Sequence, residues 1–156
     1  MRSVLVKGIG LGSVVLVFLL MKESASLFVE NLQFTNAETE VSFWGRENYQ
    51  PTAKAVKRST RTIDALLSDS SRHPSYLSLH ANVLAWLAYW EADESAQDLL
   101  VKQTIAVQIR AIKSRPAHRQ SWIKLVEYLS NSNNSGETEK WARRQLAELQ
   151  LYTQAI

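Results

Sequence analysis

Apolar residues along this chain follow two patterns. The first is a continuous run, Gly8 to Met21 (GIGLGSVVLVFLLM), without a single charge. Val4, Leu5 and Val6 extend it across Lys7 to about 18 residues, close to the roughly 20 that a helix needs to cross a bilayer. From residue 24 onward the second pattern takes over, with apolar residues recurring at three- and four-residue steps, as on amphipathic helices.

In residues 24–34, Leu27, Phe28, Asn31 and Phe34 fall roughly on one side, which predicts that the first helix continues past the apolar run. A mixed polar and aromatic connection is expected over 35–50. Pro51 suits the first turn of a helix over 51–68, because it lacks an N–H that would be unpaired there. Val56, Ile63, Leu66 and Leu67 form its stripe. Pro74 opens a helix over 74–92 with Tyr76, Leu79, Val83, Trp86, Leu87 and Trp90 on one face. A break at Asp93–Ser95 precedes a helix over 96–114, with Ser95 and Asp98 as a capping pair and Val101, Ile105, Ile109 and Ile112 inward. Pro116 opens a helix over 116–130 carrying Trp122, Leu125, Val126 and Leu129. The loop Asn131–Gly136 leads to a last helix from 137, with Trp141, Ala142, Leu146, Leu149 and Tyr152. No alternating pattern of useful length occurs outside the first run, so the fold class is all-α.

Arg2 and Lys7 make the leading end of the apolar run basic. That bias predicts a single-pass inner-membrane protein, with its N-terminus cytoplasmic and its C-terminal domain periplasmic or external. A cleaved signal peptide is the rival reading, with Ser24 and Ser26 at a cleavage spacing. Lys22 and Glu23, placed between the apolar core and that site, favour a retained anchor. The expected organisation is an anchor over 1–23, a juxtamembrane extension and linker over 24–50, and a helical-repeat domain over 51–156. With no cysteine, disulfides, thiolate metal sites and a lipid-modified cysteine are excluded.

The net charge is +3, of which +2 lies in the first 23 residues. The domain is thus nearly neutral, and nucleic acid is not an expected partner. Its best basic cluster is Lys54, Lys57, Arg58 and Arg61, one face at helical spacing. A solvated surface is the default for it, and acidic lipid headgroups or an anionic glycan are the alternative.

Residues 66–86 (LLSDSSRHPSYLSLHANVLAW) and 109–128 (IRAIKSRPAHRQSWIKLVEY) both finish one helix, turn through a basic residue and a proline, and begin another. Pro74 and Pro116 stand 42 residues apart. This pattern predicts a short stack of helical hairpins. The segments HPSYLSLHANVLAWLAYW (73–90) and SRPAHRQSWIKLVEYL (114–129), with Phe43-Trp44-Gly45 ahead of them, resemble the VpsP family of exopolysaccharide-biosynthesis proteins. The matching residues are Pro74, Tyr76, Leu79, Leu84 and Trp86, then Arg115, Pro116 and Trp122. The resemblance implies one N-terminal membrane helix, a tetratricopeptide-like domain and a role in polysaccharide assembly.

Candidate chemistry is sparse. His73, His80 and His118 have no carboxylate or second histidine at i+3 or i+4, as a helical metal site needs. No nucleophile elbow, phosphate-cradling glycine loop or dinucleotide fingerprint occurs. Neither an enzyme nor a cofactor is expected. Five tryptophans are many for this length. Packing is the default reading for Trp86, Trp90, Trp122 and Trp141. Trp90, Tyr89 and Trp122 are the candidate partner-binding residues, on the alternative that aromatics line the concave face of the stack and receive a peptide or a sugar ring; Trp90 lies near a helix end beside Tyr89 and Glu91. Trp44 is a candidate interfacial anchor. The functional expectation is a non-catalytic, membrane-anchored adaptor that docks protein components of an exopolysaccharide machine. The alternatives are a glycan- or lipid-binding accessory protein and a self-assembling structural subunit.

Overall fold

The computed structural model describes the backbone of residues 2–47, 49–132 and 136–154, and the side chains of 16–47, 49–132 and 136–150. Among the described residues six helices occur in order: α1 (Arg2–Phe43), α2 (Ala53–Asp69), α3 (Pro74–Trp90), α4 (Glu94–Ser114), α5 (Arg119–Ser130) and α6 (Gly136–Gln154). There is no strand among the described residues. The chain falls into two compact units, Met1–Asn36 and Ala37–Ile156.

In the first unit, every residue from Leu16 to Met21 is more than half exposed. Among the described residues no helix is long and apolar enough to cross a membrane. The side chains of residues 1–15, which supply most of the expected anchor, lie outside the described residues.

The connection expected over 35–50 is helical as far as Phe43. Ala37, Val41 and Trp44, at four- and three-residue steps, are 5%, 1% and 3% exposed. Burying that stripe in the second unit holds a polar-rich segment in helix where composition alone suggests a loop.

Three helix starts differ from expectation, each because a side-chain or backbone cap sets the boundary. Thr52 caps α2, its Oγ1 accepting the Ala55 N–H at 3.2 Å, so Pro51 stands ahead of the helix. Asp93 caps α4, its carboxylate accepting the Ala96 N–H at 2.8 Å, in place of the Ser95–Asp98 pair. α5 starts at Arg119 with His118 at its N-cap, leaving Pro116 in the preceding turn. Only Pro74 occupies the first turn of its helix, as expected.

The hairpins α2–α3 and α4–α5 turn alike. The Ser70 N–H donates to Leu66 O and the His73 N–H to Ser70 O; the Arg115 N–H donates to Ala111 O and the His118 N–H to Arg115 O. The C-cap dihedrals agree, at φ −135°, ψ 62° for Ser70 and φ −144°, ψ 70° for Arg115. His73 and His118 are therefore equivalent, and the period is 45 residues, not the 42 that separates the prolines. Burial keeps the same register: Ser59, Ile63 and Leu66 in α2 correspond to Thr104, Gln108 and Ala111 in α4. A 45-residue period belongs with the longer helical-hairpin repeats of about 40–47 residues, and not with the tetratricopeptide length of about 34.

α3 is the central element, packed against α2 and most extensively against α4. Tyr76, Leu77, Leu79, Ala81, Val83, Leu84 and Ala88 are all buried, more than one stripe, as suits a helix with neighbours on several sides. A second cluster joins α4, α5 and α6 through Ile112, Trp122, Leu125, Leu129 and Ala142. Each fully buried leucine there contributes about 1.5–3 kcal/mol. The most deeply buried face of α4 is partly polar. Gln108 is fully buried, its Nε2 donating to Ser121 O at 2.8 Å and its Oε1 accepting from Ser78 Oγ at 3.3 Å. One side chain thus ties α3, α4 and α5 together.

Candidate functional site

An aromatic cluster marks the C-terminal end of α3. The turn after α1 depends on Gly45, whose φ of 75° lies in the left-handed region that glycine enters without steric cost. That turn sets the Trp44 ring 5.3 Å from Trp90 at 50°. Trp90 stacks on Trp86 at 5.5 Å and 27°, and Tyr89 meets Trp86 edge-on at 5.7 Å. Both geometries are favourable for ring quadrupoles. Glu40 accepts hydrogen bonds from Trp44 Nε1, at 3.2 Å, and from the Tyr49 hydroxyl. The hydrogen bond to that carboxylate holds the Tyr49 phenol above its ordinary pKa, with desolvation and the Glu40 charge adding to it. Trp44 is thus a buried, hydrogen-bonded packing residue, which corrects its reading as an interfacial anchor.

Beside this cluster, α3, α4 and the end of α5 enclose an open groove of about 650 Å³. Its lining includes Ala85, Ala88 and Val101 as apolar surface, Tyr89 and Tyr128 as aromatic walls, and Glu94 and Asp98 as acidic groups. Tyr89 is 74% exposed. Burial, with a smaller contribution from the Glu127 charge, pushes the Tyr128 phenol well above its usual range. Gln97 Nε2 donates to Ala88 O at 3.0 Å, fastening the start of α4 to the end of α3 and fixing the groove's width there. Asp98 pairs with Lys102 at 2.6 Å in an exposed ion pair. Thr104, at the base, donates its hydroxyl to Leu100 O at 2.8 Å.

The three aromatic residues picked out in the sequence separate in space. Tyr89 lines the groove. Trp90, 40% exposed, belongs to the adjoining tryptophan cluster. Trp122 is 5% exposed, set edge-on to Trp141 at 5.1 Å, and its Nε1 donates to Pro116 O at 2.7 Å. Its place is the α5–α6 core, and the Pro116…Trp122 spacing of the sequence is the two ends of that hydrogen bond. Lys54, Lys57, Arg58 and Arg61 are all exposed on α2, with no salt bridge among the described residues.

The histidines are dispersed. His73 lies 4.1 Å from the Tyr76 ring, and His118 Nδ1 is 2.8 Å from Ser121 Oγ. His80 is half-buried on α3, and desolvation lowers its pKa, with nearby Asp64 opposing and Arg110 reinforcing that shift. No group of three His, Asp or Glu side chains is placed to hold a metal among the described residues.

Tyr128, Gln97, Glu94 and Asp98 escaped the sequence reading as site residues. The recoverable signal was Glu94, Asp98 and Val101 at four- and three-residue steps on one face of α4. Tyr128 carried none, because the Leu125–Leu129 stripe absorbs it. No family model, curated protein or solved structure matches the chain.

Proposed function

We propose that this chain is a non-catalytic adaptor, a helical-repeat domain on a membrane-anchoring helix that docks protein components of an exopolysaccharide assembly machine. The observation that carries the docking role is the groove of about 650 Å³ with an exposed Tyr89 at its edge. Apolar surface, aromatic walls and acidic groups there suit a partner segment bearing small apolar and basic side chains. The anchor is supported by the apolar run and by the exposure of Leu16 through Met21 all around α1, a surface that water does not favour. Holding the domain at a membrane raises its effective concentration near partners in the same plane. The polysaccharide context rests on the resemblance of residues 73–90 and 114–129.

The test is affinity purification of the full chain from gently solubilised membranes, with mass spectrometry of what co-purifies. The informative variant is Tyr89→Ala with Asp98→Asn, since both side chains are exposed and neither is needed for the core. Enrichment of glycan-assembly components with the wild type, lost with this variant, supports docking in the groove. Recovery of the protein alone sinks the adaptor. A direct glycan- or lipid-headgroup-binding role is the second reading, supported by the four exposed cations on α2; tryptophan fluorescence unmoved by polysaccharide would count against it.

A further inference from the structure

A second cleft, of about 280 Å³, lies at the opposite end of α3, between the first turns of α3 and α5 and the end of α1. Its character is the reverse of the groove's. Arg115, His118 and Lys124 stand on its walls, against one carboxylate, Glu38. Ser75, Asn82 and Gln120 add neutral donors. Among the described residues, the side chains of Arg115, Lys124, Ser75, Asn82 and Gln120 make no hydrogen bond or ion pair with protein. Ser75, Asn82 and Lys124 are at the same time partly buried. Partly buried donors without protein partners are satisfied by water or by a ligand's acceptors.

We propose that this cleft binds an anionic sugar, a hydroxylated ring carrying a phosphate or carboxylate. The α4–α5 hairpin supplies both cations: Arg115 is the C-cap of α4 and Lys124 lies in the second turn of α5, with the His118 ring at the N-cap between them. The first turns of α3 and α5 face the same cleft and add the positive ends of two helix dipoles. The guanidinium suits the two-point recognition of a phosphate or carboxylate, and Lys124 supplies a second charge. The side chains of Ser75, Asn82 and Gln120 match ring hydroxyls. Pro74 and Leu79 give the cleft an apolar patch, against which a sugar's C–H face packs. The volume is near the lower end of small-molecule sites, about 300 Å³, enough for one ring. The assignment goes beyond the docking groove and uses none of its residues, so each stands or falls independently of the other.

The test is calorimetric titration of the full chain in a neutral detergent with glucose 1-phosphate, glucuronate, glucose and inorganic phosphate. Vesicles of phosphatidylglycerol in neutral phospholipid form a separate arm. Either anionic sugar should bind at least about tenfold more tightly than glucose and than inorganic phosphate. Arg115→Gln with Lys124→Gln should weaken it about tenfold or more, as expected when charged hydrogen bonds are lost. Glutamine keeps most of the aliphatic stem of each side chain, and unchanged helicity by circular dichroism checks the fold. Equal binding of inorganic phosphate and the anionic sugars would overturn the sugar assignment. So would binding to the anionic vesicles alone, binding that survives the double variant, or no saturable binding of any probe.

Discussion

Gly45→Ala is the sharpest test of how the end of α1 is joined to the repeat. The backbone at Gly45 has φ 75°, which costs a residue with a Cβ about 1–2 kcal/mol. An added Cβ would sit 2.8 Å from Trp86 Cζ2 and closer still to Cη2, so the indole must move. Trp86 is stacked on Trp90, which in turn meets Trp44, and overpacking a site of this kind costs about 1–3 kcal/mol. The two costs together are about 2–5 kcal/mol, a large share of the roughly 5–15 kcal/mol that a domain has. Urea unfolding followed by tryptophan fluorescence should show that loss, and the melting temperature should fall by on the order of 10 °C. Gly136→Ala is the control: nothing lies within 4 Å of its added Cβ, and its stability should stay within about 0.5 kcal/mol of wild type. Combining Gly45→Ala with Trp86→Phe removes the clashing atoms but not the backbone cost. The double variant should therefore lose less than the sum of the singles. A Gly45→Ala protein as stable as Gly136→Ala would refute both the left-handed turn and the contact with Trp86.

Three further outcomes are expected. Gln108→Leu removes the amide bond to Ser121 O and the bond from Ser78 Oγ and should cost about 1–3 kcal/mol in chemical denaturation; no change would mean that the tie across the three helices adds no net stability. Trp122→Phe keeps most of the ring but removes the hydrogen bond to Pro116 O, with an expected loss of about 1–2 kcal/mol by the same assay. The lowered His80 pKa means that the unfolded chain binds a proton at higher pH than the folded one. The stability from neutral His80 is then complete above the unfolded value, about 6.5, and is lost as pH falls from there toward the folded value. His80→Asn should flatten that fall in a pH series of melting temperatures, and an unaltered slope would assign it to other groups.

The parts of this fold most legible in the sequence were those written in apolar residues. The stripe of α3 and the core face of α5 follow from Leu, Val and Trp spacing, and the two hairpin turns from a basic residue and a proline between apolar runs. The parts that escaped depend on polar residues in apolar places. Thr104 and Gln108 occupy the buried face of α4, so the visible Val101–Ile105–Ile109 stripe points to a flank and only Ile112 reaches the interior. The prolines misled for a related reason. Pro74 and Pro116 look equivalent, yet one begins a helix and the other lies in a turn, and only cap geometry aligns Ser70 with Arg115. Of the groove, Tyr89 was visible as an aromatic at a helix end. The cleft was not, because Arg115, Asn82 and Glu38 come from three distant segments, and a single sequence offers no measure of which charged residues will meet.

The 45-residue register also carries an instruction about assembly order. At one equivalent position the first hairpin buries Ile63 and the second buries Gln108. Ile63 has no hydrogen-bonding group for Ser78 Oγ or for Ser121 O, so the first hairpin cannot make the tie that Gln108 makes. The two modules are consequently not interchangeable. A first hairpin placed in the second slot would abandon the amide bonds, so a single buried amide biases the chain toward stacking on itself in one sequence.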